Sequence, residues 1–416
     1  MKRLRLLVLC DVVDRVGGTE SYLSRVLPAL AAEGVDVSIV ARRVTLPGAF
    51  GIPAREIAWG NDDEAPRPQA ALAVAEAIAE LRPDVVMTSN VHDHTVIDAA
   101  RAAPLLVVRV HDHRLFCPQG DRRFPHGGGF CTSAMSVAGC AAAALVRGCA
   151  AGVSLKTLRL LRSRKALHDA VLRADHFVVA SKFVADLCAQ NGVPAARITT
   201  IAPPFDGREV RRPAPRPAVD RVLFAGRLVR DKGLRSLIDA VAAIPEPSRP
   251  HLAVAGAPTR ESRPLPAYAR KRGVAMTMLG RLEQHALKAE IDASTLLAVP
   301  SLWPEPFGLS GIEAQARGRP VVAFDVGGIP EWIGDPGMLA PRGDVAALAR
   351  AIERVLDRRT WPLFAESALR QSVRFRLDAH VAPLVRLLRS REDAGRALRA
   401  EAGALERGVP ALSDAR

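Results

Sequence analysis

Pro300-Ser-Leu-Trp-Pro-Glu305-Pro-Phe-Gly308-Leu-Ser-Gly-Ile-Glu313-Ala314 decides how this chain folds, because it passes from an apolar strand into a helix through a short turn. The run Leu296 to Val299 ends at Pro300, and Pro306 with Gly308 forbids a regular helix through the turn, so Glu305 belongs on a loop leaving a strand. Glu313 falls early in the helix that follows. Between the two acids, the backbone N–H groups around Phe307, Gly308, Leu309 and Ser310 open that helix, where the dipole favours a phosphate. A carboxylate on either side can accept hydrogen bonds from sugar or ribose hydroxyls. The alternative is a capped surface helix whose acids merely suit its N-terminus.

A second cluster lies upstream. Arg221-Val-Leu-Phe-Ala-Gly226-Arg227-Leu-Val-Arg-Asp-Lys232-Gly233 is again a short apolar strand and a glycine turn, followed by a helical run from Leu234. Arg227 and Lys232, five residues apart, can close on one diphosphate. Only seven of the 58 basic residues are lysines, which makes a lysine beside this turn less of a background event. A solvated basic loop is the competing reading.

Short apolar strands alternate with helical segments along most of the chain, and this alternation predicts an α/β protein with doubly wound parallel sheets. The first half has strands near 4–9, 35–40, 84–88, 104–110, 176–180 and 197–201. The second has them near 221–225, 251–255, 275–279, 295–299 and 320–324. Between the halves, Pro203 to Pro217 is rich in proline and arginine without any period, so the expected division is a first domain over 1–203, a linker over 204–219 and a second domain over 220–360. Residues 361–390 read as helical, and 391–416 as a tail with little to bury. Open α/β sheets bind ligands beyond the carboxyl ends of their strands, which predicts two domains facing each other across a cleft.

Residues Arg221 to Ile333 resemble the nucleotide-binding domain of the retaining glycosyltransferases of family 4, in the GT-B superfamily. The resemblance is carried by G-R-x4-K-G at Gly226 to Gly233, by E-x7-E at Glu305 to Glu313, and by Ala316-Arg-Gly-Arg-Pro-Val-Val-Ala-Phe-Asp-Val-Gly327-Gly328-Ile-Pro-Glu331. In the first half, Val16-Gly17-Gly18-Thr19-Glu20 lies where that family has its glycine loop, and Val110-His111-Asp112 where it keeps a histidine. Matches recur over about residues 4 to 390.

The resemblance implies a GT-B fold of two Rossmann-like domains and transfer of a sugar from a UDP-, GDP- or ADP-sugar to a glycan or lipid-linked acceptor in cell-surface polysaccharide or glycolipid synthesis. It assigns Glu305 to the donor sugar's hydroxyls, Glu313 to the ribose, His111 to the sugar's underside, and residues 361–390 to a segment that crosses back onto the first domain. Breaking the anomeric bond puts negative charge on the leaving phosphate, which Arg227, Lys232 and the backbone at Gly17, Gly18 and Phe307 to Ser310 would stabilise. No D-x-D pair occurs, so neither a divalent metal nor another cofactor is expected to be required. A non-catalytic nucleotide-sugar binder on the same fold is the main alternative, with a GT-B epimerase or phosphorylase as a third reading. The intact set His111, Arg227, Lys232, Glu305 and Glu313 favours the enzyme.

Cys117, Cys131, Cys140 and Cys149 crowd into an insertion at about 114–152, whereas Cys10 and Cys188 suit buried core positions. Four thiolates can hold a structural zinc, yet no C-x2-C knuckle occurs and plain core or loop cysteines stay open. Asn90-Val-His92-Asp93-His94 reads as an acceptor-side mouth or an ordinary polar turn.

A net charge of +14 and a pI near 10.3 ask for an anionic partner. The run Lys156 to Lys165 carries five cations and no acid among leucines, as a helix on the acidic inner face of a membrane does, or a solvated one. Nucleic acid is not expected, since aromatics are only 4% and no nucleic-acid motif appears. The start Met1 to Cys10 mimics a signal peptide, but Asp11, Asp14 and Arg15 cut its apolar core short, so it reads as a buried strand. The longest apolar segment, Ala134 to Val146, falls short of the ~20 residues of a membrane helix. A cytoplasmic protein, soluble or peripheral, is the expectation.

Overall fold

In the computed structural model, residues 3–14, 17–60, 67–122, 124, 129–149, 154–205, 213, 215–335 and 338–407 are described. The first sheet contains β1 (Arg5–Val13), β2 (Asp36–Val44), β3 (Ala54–Glu56), β4 (Val85–Ser89), β5 (Leu106–Arg109), β6 (His176–Val179) and β7 (Ile198–Thr200). Its order is β3-β2-β1-β4-β5-β6-β7, and all pairs are parallel. Around it lie α1 (Gly18–Ala32), α2 (Pro68–Leu81), α3 (His94–Ala100), α4 (Val137–Arg147), α5 (Leu155–Leu172) and α6 (Lys182–Gln190).

The second sheet is β10-β9-β8-β11-β12-β13, also parallel throughout, from β8 (Arg221–Ala225), β9 (His251–Ala255), β10 (Met276–Gly280), β11 (Leu296–Val299), β12 (Val321–Phe324) and β13 (Leu339–Ala340). Its helices are α7 (Leu234–Ala243), α8 (Leu265–Lys271), α9 (Gln284–Asp292), α10 (Leu309–Gln315), α11 (Pro330–Ile333) and α12 (Val345–Leu356), followed by α13 (Trp361–Ser372) and α14 (Leu377–Arg407). Two doubly wound Rossmann-like domains in tandem make the GT-B fold.

The pleat explains how β1 is buried on both faces. Leu7 and Leu9 pack into a core with Val74, Val96 and Phe177, while Leu6 and Val8 pack into another with Leu23, Leu27 and Phe50. Val381, Leu384, Val385 and Leu388 of α14, spaced as one helical face, complete this second core, so the crossover from the far domain is part of the first domain's packing.

Strand positions follow the sequence reading closely, with two additions. β3 and β13 are edge strands of three and two residues, too short for any period to show. The tail differs as well, since α14 runs on to Arg407 where the composition suggested fraying. Its Ala, Arg, Leu and Glu residues are strong helix formers. Of the linker only 204, 205, 213 and 215–219 are described, and 408–416 lie outside the described residues.

Candidate active site

Each sheet reverses its winding once, at β1/β4 and at β8/β11, and such switch points open a crevice beyond the strand ends. The glycine loop follows β1, Asn90 follows β4, Arg227 follows β8, and the Pro300 to Glu305 loop follows β11. His111 leaves β5, one strand over from the first crevice. The residues singled out from the sequence are therefore gathered where the two sheets open toward each other.

Lys232 and Glu305 meet directly. Lys232 Nζ donates to Glu305 Oε1 at 2.5 Å and stands 5.3 Å from the centre of the Trp303 ring. Glu305 is 5% exposed. Gly233 makes this approach feasible: its φ is 73°, and a β-carbon there would lie 1.7 Å from the Pro300 carbonyl oxygen. The Asp231 carbonyl accepts from Leu302 N at 2.7 Å, which pins the two loops together. Arg227 is exposed and makes no hydrogen bond or ion pair among the described residues.

Gly327 holds the other side of the turn. At φ 59° it brings its backbone so close that a β-carbon would lie 2.2 Å from Glu305 O, and the same oxygen accepts from Gly328 N at 2.8 Å. Phe307 is buried, and its carbonyl accepts from Trp332 Nε1 at 2.5 Å. Gly308, at φ 98°, and Gly311 lie against the Trp332 ring. Leu309 and Ser310 start α10, whose first N–H groups have no intrahelical partner. Across the crevice a β-carbon on Gly18 would lie 3.7 Å from Leu309 Cδ1. Gly17, at φ 116°, precedes α1, and a side chain there would strike the Glu20 carboxylate.

Glu313 faces the first domain. Its Oε1 accepts from Arg25 Nη2 at 2.5 Å, and Arg25 also donates to the Pro204 carbonyl at 3.3 Å. Sequence reasoning did not single out Arg25, although it lies two helical turns after Gly18 and so on the same face of α1 as the glycine loop.

His111 lies on the cleft floor, with Nε2 2.6 Å from Ser89 Oγ and its ring edge-on to Tyr22 at 5.1 Å. Burial first, and then the charge of Arg109, hold its imidazole well below the ordinary histidine value, so it is neutral at physiological pH. Arg109 is buried beneath it, 4.8 Å from the centre of the Tyr22 ring, and donates to the Ile201 carbonyl at 3.0 Å. Tyr22 Oη also lies 3.0 Å from His380 Nε2 of α14.

Further contacts join the domains. His113, two residues past His111, has Nε2 2.6 Å from the Pro304 carbonyl and its ring 5.2 Å from that of Trp303. Ser181 Oγ donates to the Pro306 carbonyl at 2.7 Å. The Glu331 carboxylate accepts from Lys182 N and Phe183 N at 2.7 and 2.9 Å, so an acid of the second domain caps α6 of the first. The repeated His-Asp-His pattern around 111 to 113 was the one sequence signal for His113.

The turn after β4 is structural in part. Asp93 caps α3 through Thr95 N at 3.0 Å and accepts from Gly60 N at 3.0 Å, while Asn90 Nδ2 donates to Thr19 Oγ1 at 2.8 Å and so steadies the glycine loop. The six cysteines are free thiols; Cys10 and Cys188 are buried, and burial pushes the Cys188 thiol up to about 12. Cys117, Cys131, Cys140 and Cys149 are half-buried. Burial, and then the neighbouring Cys117, Cys131 and Cys140, push the Cys149 thiol up, so the four lie near one another, while among the described residues no three His, Cys, Asp or Glu side chains are grouped to hold a metal. The basic run is also less uniform than its composition suggests. Arg164 is buried, and Lys165 pairs with Asp169 at 2.5 Å one turn on.

Residues 16–208 match the model of Glycosyltransferase Family 4, and residues 219–358 that of glycosyl transferases group 1. The glycogen synthase of Mycobacterium tuberculosis is 38% identical over 176 residues, which is 40% of this chain and 39% of that protein. A D-inositol 3-phosphate glycosyltransferase of a Mycobacterium species is 33% identical over 205 residues, 44% of this chain and 45% of that protein. The chain thus spans less than half the length of these curated relatives. Among solved structures, Anabaena HepE in complex with UDP-glucose is similar with a TM-score of 0.68 at 20% identity, over 93% of this chain and 100% of that one. WaaG, a glycosyltransferase involved in lipopolysaccharide biosynthesis, is similar with a TM-score of 0.65 at 17% identity, over 92% and 99%. At these identities the likeness is one of fold. No helix among the described residues is long and apolar enough to cross a membrane.

Proposed function

From a GT-B fold whose two halves each match a glycosyltransferase model, we propose that this chain is a glycosyltransferase that moves a sugar from a nucleoside-diphosphate donor to an acceptor hydroxyl with retention at the anomeric carbon. The observation that carries this reading is the convergence of exposed Arg227 and the Lys232–Glu305 pair with the start of α10, all opposite the glycine loop of the other domain. Cations and helix-start dipoles there suit a diphosphate, and two carboxylates suit the hydroxyls on either side of it.

The reaction is one exchange of bonds. The bond from the anomeric carbon to the β-phosphate oxygen breaks, an acceptor oxygen forms the new bond on the same face, and the acceptor's proton passes to the leaving phosphate. Arg227 and Lys232 stabilise the charge that grows on that phosphate, in the manner of preorganised electrostatic catalysis. Glu305 Oε1 is held by Lys232, leaving Oε2 for a donor-sugar hydroxyl, and Glu313 Oε2 is left for the ribose in the same way. His111, neutral, supplies a hydrogen-bonding edge beneath the sugar rather than a charge. No divalent metal is needed in this scheme because side-chain cations occupy its role.

UDP, GDP and ADP are the donors to separate. A nucleotide that binds the folded chain raises its melting temperature, by an amount that grows with the logarithm of its concentration over its Kd. The expected outcome is stabilisation by one of the three, and release of the same nucleotide from its sugar conjugate when an acceptor is supplied, in the presence of EDTA. Loss of transfer with EDTA and its return with Mg²⁺ would remove the metal-free scheme. No stabilisation by any of them would remove the donor site. Turnover of the nucleotide sugar would be lacking in a binder on the same fold, and an epimerase would turn over without an acceptor.

A further inference from the structure

The helical hairpin α4–α5 has a surface that neither the donor site nor the fold accounts for. Of the eleven residues of α4 only Ala144 is buried. Its exposed positions are Ala138, Gly139, Ala142, Leu145 and Val146, which follow a helical period and carry no polar side chain, and Arg147 at its end. Leu145 and Val146 are 69% and 84% exposed, and Leu155 at the start of α5 is 76% exposed. A helix face of this kind in water calls for a partner.

Charge says which partner. From 122 to 168 the chain has eight lysines and arginines and no aspartate or glutamate. On α5, Arg159 and Arg162 are exposed on the same face as Leu155, at the i, i+4, i+7 spacing. A second copy of the chain would bring two such basic surfaces together and repel. Nucleic acid would leave the apolar face uncovered. An anionic bilayer satisfies both parts, since acyl chains accept the leucines and valine while headgroups accept the arginines. We propose that the α4–α5 hairpin docks on an anionic lipid surface, with Leu145, Val146 and Leu155 entering the interface and Arg159 and Arg162 at the headgroups. This differs from the sequence expectation over Lys156 to Lys165, because Arg164 and Lys165 are engaged within the fold and the apolar half comes from α4. Arg342 of the second domain lies 4.4 Å from the centre of the Phe130 ring, seven residues before α4, so the docked hairpin stands beside the mouth of the cleft.

The inference does not depend on the transferase reading and is tested apart from it. Full-length protein is sedimented with vesicles of phosphatidylcholine containing about a third phosphatidylglycerol. The parent is expected to sediment with these, less so as salt is raised and little with phosphatidylcholine alone. Leu145→Gln, Val146→Gln and Leu155→Gln combined, or Arg159→Gln with Arg162→Gln, should each weaken partition about tenfold or more while the melting temperature and any nucleotide stabilisation stay unchanged. A parent protein that remains in the supernatant, or variants that sediment as it does, overturns the proposal. So does a parent that is dimeric by sedimentation velocity and becomes monomeric in the triple Gln variant with vesicle binding intact, because the occupant would then be a second copy.

Discussion

Glu305 and Glu313 are each engaged through Oε1 by a cation, Lys232 from the same domain and Arg25 from the other, and the two pairs have different consequences on truncation. Glu305 is 5% exposed, so Lys232→Ala leaves a buried carboxylate without its partner. We expect stability to fall by about 1–3 kcal/mol and transfer by about 10²-fold. Adding Glu305→Gln should restore much of the stability but none of the transfer, as read by denaturant unfolding beside initial rates. Full turnover in a folded Lys232→Ala protein would take this lysine out of the chemistry. The Glu313 side chain is 18% exposed against 6% for Glu305, so its carboxylate is better solvated, and the pair borders the proposed ribose position. Arg25→Ala should therefore raise the donor KM by about 3- to 10-fold with kcat held within about twofold, the pattern of lost binding rather than lost transition-state contact.

At the scale of elements, α14 is the part of the second domain's chain that serves the first, and His380 is its polar anchor. Its Nδ1 lies 2.7 Å from the Ala202 carbonyl and its Nε2 3.0 Å from Tyr22 Oη. Burial, and then the nearby Arg109 charge, bring its value down from 6.5 to about 3. The folded state thus holds His380 neutral where the unfolded chain takes a proton. Its contribution is complete above pH 6.5 and is lost as pH falls from there toward 3, at up to about 1.4 kcal/mol per pH unit for one group. His380→Gln should give a shallower fall in unfolding free energy between pH 6 and 4, measured by urea titration at each pH (about one group's slope). A slope equal to the parent's would assign the dependence to other buried histidines such as His176, itself brought down to about 4 by burial.

The sheets were legible because β1, β4, β8 and β11 are apolar runs with punctuated ends, and so was the strand-to-helix turn from Glu305 to Glu313, where Pro306 and Gly308 restrict the backbone. Arg25, His113 and Glu331 act across the domain boundary, between segments far apart in sequence, and no local period or spacing encodes their partners. The α4 surface escaped for a different reason. Its alanines and valines have the composition of a core helix, and only the packing decides which face is left outside.

Polar contacts join the two domains beside an apolar seam in which Ala180, Ala202 and Phe130 meet the core of the second domain. Arg25 to Glu313, His113 to the Pro304 carbonyl, Ser181 to the Pro306 carbonyl and the Glu331 cap on α6 are all polar, and the first and last are charge-assisted. Glu331→Gln keeps the shape but weakens the cap. We expect it to enlarge the radius of gyration in small-angle scattering, and saturating nucleotide to return it toward the parent value. An unchanged radius in Glu331→Ala as well would mean that the cap does not govern closure. The apolar side of the crossover, Val381 to Leu388, is packed on the first domain. Separating the domains would expose this apolar seam as well as break the polar contacts, and exposing hydrocarbon is what gives such a step a heat-capacity change. The balance between joined and parted domains should respond to ionic strength through the charged pairs and carry a temperature-dependent enthalpy through the seam, so the heat of ligand capture should drift as the chain is warmed.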